Sequence, residues 1–108
     1  MTDLRERCAD LARPVLELTA ATVAAGYSSG PIDRALGAVS DIRKILAAGT
    51  DGIDNEAYLA WHAAASTLLA EVTEHLERGD AHAAREKLGD PALGLSKLTM
   101  GCAGMPGW

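Results

Sequence analysis

Met100, Cys102 and Met105 place two thioethers and one thiol within six residues, inside an uncharged segment that runs from Met100 to Trp108. Soft donors of this kind suit Cu(I) better than Mg or Ca. Gly101 and Gly104 would let so short a loop wrap an ion. The expected chemistry is therefore ligation of a soft metal, with Cys102 as principal ligand and Met100 and Met105 in support. Haem on the same thiolate ranks below copper. The sequence argues against covalent haem, because Cys102-Ala-Gly-Met105-Pro106 lacks the second cysteine and the histidine of a Cys-x-x-Cys-His motif. The plainer reading is that Met100 and Met105 dock the tail while Trp108 covers an apolar gap.

The spacing Met100-Gly-Cys102-Ala-Gly-Met105 is similar to the Met-x-Cys-x-x-Cys loop of copper chaperones, with Met105 in place of the second cysteine. The likeness covers six residues and carries no fold, since the rest of the chain reads as helical rather than ferredoxin-like.

A second constellation flanks Arg78-Gly79-Asp80, where Glu71 and His75 mirror His82 and Glu86. Each pair is four residues apart and so shares one helix face. If the two helices fold back on each other, two imidazoles and two carboxylates converge, a set that suits zinc or another first-row divalent ion. The alternative is a solvated rim of ordinary surface contacts. A di-iron carboxylate site ranks lower still, because no Glu-x-x-His spacing occurs. His62, beside Trp61, reads as a partly buried packing residue.

No nucleophile stands out. Cys8 lies on a core stripe, Cys102 has no histidine near it in sequence, and Ser28 and Ser29 sit in a capping loop. Neither the Asp-Ser-Leu motif of a phosphopantetheine carrier nor a phosphate-cradling glycine loop occurs. Binding rather than catalysis is the expectation.

The elements that must position these residues are helical. Ala and Leu dominate, Phe is absent, and the aromatic residues are Tyr27, Tyr58, Trp61 and Trp108. In the first helix Leu4, Cys8, Leu11, Val15, Leu18, Thr22 and Ala25 form one stripe. Pro14 inside it predicts a kink or restart near residues 10 to 14. Asp3 with Arg7 and Arg13 with Glu17 are spaced as outer-face ion pairs.

Gly30-Pro31 opens a second helix that runs to about Ala48, with Ile32, Ala35, Leu36, Val39, Ile42 and Leu46 inward and Gly49 ending it. Asp54 suits the cap of a third helix reaching Arg78, with Tyr58, Trp61, Ala65, Leu68, Val72 and Leu76 inward. Ala81 to Leu88 forms a fourth helix. Ala92 to Met100, with Leu93, Leu95 and Leu98, forms its continuation past Gly89-Asp90-Pro91.

At 108 residues the chain makes one core. The expected fold is all-α, an up-and-down antiparallel four-helix bundle over 1–100, with a kinked first helix, a broken last helix and a short tail, 101–108.

Acidic residues number 15 against 10 Lys and Arg, for a net charge of −5, and the cations form no stripe. That balance argues against nucleic acid and an anionic membrane as partners. The charged start Met1 to Arg7 lacks the pattern of a secretory signal, and no uncharged run is long enough to span a bilayer, so the expected location is cytoplasmic. Two distant cysteines in that setting read as reduced thiols, a Cys8 to Cys102 bridge requiring the tail to return to the first helix.

Leu18 to Ala25 is apolar or small on every side. It is either enclosed or an interface, and a homodimer through Leu18, Thr22, Val23 and Ala25 is expected. The sequence thus supports a binding module holding Cu(I) or haem in its tail, against a cofactor-free adaptor that meets a protein partner, or a recognition domain presenting its tail as a peptide for modification.

Overall fold

Short apolar spacings of three and four, broken by glycine and proline, give helices and nothing else. In the computed structural model, which describes residues 3–90 and 94–108, five helices follow in order: α1 (Leu4–Ala24), α2 (Pro31–Leu46), α3 (Glu56–Glu77), α4 (Ala81–Leu88) and α5 (Ser96–Cys102). No strand occurs among the described residues. The expected inner faces are the observed ones for α3, where all six named residues are buried, joined by Leu69. Cys8, Leu11, Val15, Leu18 and Thr22 are likewise buried on α1.

Capping follows local chemistry. Asp3 and Asp80 accept from the third residue beyond them, opening α1 and α4. On α3 the cap is Asn55, not Asp54: its Oδ1 accepts from the Tyr58 amide at 2.9 Å. Gly49 and Gly79 close α2 and α3 at φ +81° and +76°, a conformation that L side chains rarely adopt.

Cross-helix bonds fix the directions. Arg7 near the start of α1 reaches Gly49 just past the end of α2, and Arg34 near the start of α2 pairs with Glu17 in α1 at 2.7 Å. These two helices are antiparallel. Lys87 of α4 meets Glu71 of α3 at 3.0 Å across the Gly79 turn, so these two are antiparallel as well. The core lies between the α1–α2 pair and α3, with α4 and α5 covering its open sides.

Several expectations give way. The helix does not restart at Pro14: α1 runs from Leu4 to Ala24 without a break. Arg7 does not pair with Asp3 on the outer face but is buried, and Glu17 takes Arg34 rather than Arg13. The last helix begins at Ser96 and continues through Cys102, so the expected boundary between a bundle at 1–100 and a tail falls inside α5. Pro91, Ala92 and Leu93 lie outside the described residues. With five helices, the fold is all-helical but is not a simple four-helix count.

Candidate functional site

The structure overturns the expectation of reduced thiols. The tail does return to α1, and Cys8 and Cys102 form a disulfide across 94 residues, with Cα atoms 5.7 Å apart and both side chains wholly buried. Two further contacts hold the same junction. Trp108 Nε1 donates to the Cys8 carbonyl at 2.7 Å. Gly101 packs so closely on α3 that a Cβ there would lie 3.0 Å from the Tyr58 amide nitrogen and 3.1 Å from Asn55 Oδ1. The absence of a side chain lets α5 approach the first turn of α3 this closely without displacing it.

Beside the bridge lies the group that sequence reasoning missed. Arg7 is 1% exposed. Its guanidinium donates to the Tyr58 hydroxyl and to the Gly49 carbonyl, both at 2.7 Å. No carboxylate pairs with it among the described residues. A buried cation is costly unless its donors are met. Here a planar fork reaches acceptors on two other segments, one of them just beyond the negative end of the α2 dipole.

Tyr58 passes the contact on. Its hydroxyl lies 3.1 Å from His62 Nδ1. A guanidinium only donates, so the phenol accepts from Arg7; where its single proton is directed to His62 Nδ1, the neutral imidazole carries its own proton on Nε2. Burial raises the Tyr58 pKa above 10.0, against the opposing hydrogen bond and charge of Arg7. Burial, and then the Arg7 charge, lowers that of His62.

The residues expected to hold a metal are not brought together. Cys102 gives its sulfur to the bridge, Met100 on α5 is 68% exposed, and Met105 is half-buried against the core. In the second constellation His82 pairs with Glu86 at 3.0 Å on the exposed face of α4, while Glu71 turns to Lys87. Among the described residues no group of three or more His, Cys, Asp or Glu is placed to hold a metal ion.

The expected interface is also divided. Leu18 and Thr22 face the chain's own core at 0% and 1% exposure, so they cannot meet a partner; Ala25 is half-buried and Val23 is 39% exposed. The outer face of α1 carries a different stripe. Leu16, Ala20 and Val23 follow at helical steps, exposed and uncharged, with Leu16 at 70%; Arg13 bounds this row on its N-terminal side, and Tyr27, 88% exposed, continues it in the turn after α1.

Compared with protein families, with curated proteins and with solved structures, the chain matches none. No helix among the described residues is long and apolar enough to cross a membrane.

Proposed function

We propose that this protein is a non-enzymatic helical binding module that works by association, and that the outer face of α1 joins it to a second copy of itself. The observation that carries this reading is the uncovered stripe of Leu16, Ala20, Val23 and Tyr27. A contiguous apolar face left exposed along a helix is a candidate contact surface.

The stripe is complementary to itself. A two-fold axis between Thr19 and Ala20 would set Leu16 against Val23 of the second copy, with the small residues at the centre allowing close approach. The 21 residues of α1 span about 32 Å, long enough for a helix-pair interface. The net charge of −5 on each copy opposes encounter, so association should tighten as salt screens it.

Sedimentation equilibrium tests the reading. A dimer is expected at tens of micromolar protein, strengthened by salt, with Leu16→Asp monomeric and its helical circular dichroism unchanged. A wild-type chain that stays monomeric throughout, or a Leu16→Asp variant that dimerises equally well, overturns it.

The soft-metal reading applies to the reduced chain, because only an open bridge returns the Cys102 thiolate to Met100 and Met105. The bridge itself supports an oxidising working environment in place of the cytoplasm expected from the sequence. Competition with a Cu(I) chelator, run with and without reductant, tests this second reading: retention of copper by the reduced chain alone is its expected result.

A further inference from the structure

We infer that the cleft between α2 and α3 binds the carboxylate of a small aliphatic acid. Arg43, Leu46 and Ala47 from the last turns of α2 face His62, Ser66 and Leu69 of α3 around a cavity of about 260 Å³. Three of these six residues can donate hydrogen bonds and three are apolar. No carboxylate lines the cleft, in a chain where acidic residues outnumber basic ones by 15 to 10.

The donors are free. Arg43 makes no ion pair and Ser66 no side-chain hydrogen bond among the described residues. His62 has its Nδ1 engaged by the Tyr58 hydroxyl, and in the tautomer whose Nδ1 accepts from that hydroxyl the Nε2–H is the ring's remaining donor, on its opposite edge. Behind it stands the buried Arg7 cation, linked through Tyr58 and lacking a carboxylate of its own. A guanidinium, an imidazole N–H and a hydroxyl around one opening are matched by an acceptor-only anion, the negative end of the α2 dipole being offset there by the Arg43 and Lys44 charges of its last turn.

The floor narrows the class. Leu46, Ala47 and the buried Leu69 offer nothing to the outer oxygens of a phosphate but pack a methylene chain. The cleft is open on one side and small, which suits a short aliphatic acid rather than a long-chain one. The α1 stripe lies on another helix, so this site is independent of the association described above.

The test is a titration of the full chain with sodium hexanoate, followed by amide and arginine Nε signals in ¹H–¹⁵N NMR spectra, with hexan-1-ol as the uncharged comparison. Saturable shifts at Arg43, His62 and Ser66 are expected. Arg43→Gln, an exposed change on α2, should weaken binding about tenfold or more, Arg78→Gln should leave it unchanged, and the alcohol should not saturate. Absent or non-saturating shifts, equal affinity in Arg43→Gln, or equal binding of the alcohol each overturn the inference. Leu16→Asp should bind hexanoate as the wild type does, which separates failure of the dimer from failure of the cleft.

Discussion

Removing the disulfide should destabilise this chain strongly although it removes little bulk from the core. In the double variant Cys8→Ala, Cys102→Ala both positions stay apolar, so the main loss is the constraint on the unfolded chain. The bridge closes a loop of 94 residues. The chain-entropy relation assigns such a loop about 4.7 kcal/mol at 25 °C. For a domain of this size that corresponds to a fall in melting midpoint of roughly 20–35 °C. Thermal unfolding followed at 222 nm, with and without reductant, measures it. Reductant should bring the wild type down to the variant and leave the variant where it is. A variant that melts within a few degrees of the oxidised wild type would refute the reasoning, because an unfolded chain free to expand must gain from losing a cross-link of this span.

Three further outcomes follow from the same junction. Arg7→Lys keeps the charge but cannot fork to Gly49 and Tyr58 together, and chemical denaturation should show a loss of about 2 kcal/mol. Gly101→Ala forces a methyl group against the first turn of α3; it should cost about 1–3 kcal/mol, and unchanged stability would show that α5 moves aside freely. His62 binds its proton more weakly in the folded chain than in the unfolded one, so its contribution lowers stability as pH falls through 6.5. That contribution is the difference between wild type and His62→Gln over pH 5 to 8, and an unchanged pH slope in the variant would remove His62 as its source.

What could be read along the chain was whatever a helix needs from its own neighbours. Period and punctuation fixed α3 with its inward Tyr58, Trp61, Ala65, Leu68, Val72 and Leu76, and fixed α4 between the Asp80 cap and Gly89. The glycines at 49 and 79 were legible for the same reason: ending a helix is a local act. Arg7 left a trace in the sequence, since it stands four residues before Leu11 and eleven before Leu18 on the buried face. Its charge argued for the surface, because an arginine is buried only when acceptors are supplied.

Those acceptors, Gly49 and Tyr58, lie 42 and 51 residues away, and no local pattern announces them. The sulfurs show the same division. As neighbours in sequence, Met100, Cys102 and Met105 form a ligand set; in space, Cys8 stands closer to Cys102 than its 94-residue separation suggests, and the bridge takes the thiol. The sequence by itself determined the helices and which side of each must avoid water, since both depend on spacings of three and four. The tertiary structure alone decided that the tail turns back onto α1 and that Arg7 is enclosed, because both depend on groups that only folding brings within bonding distance.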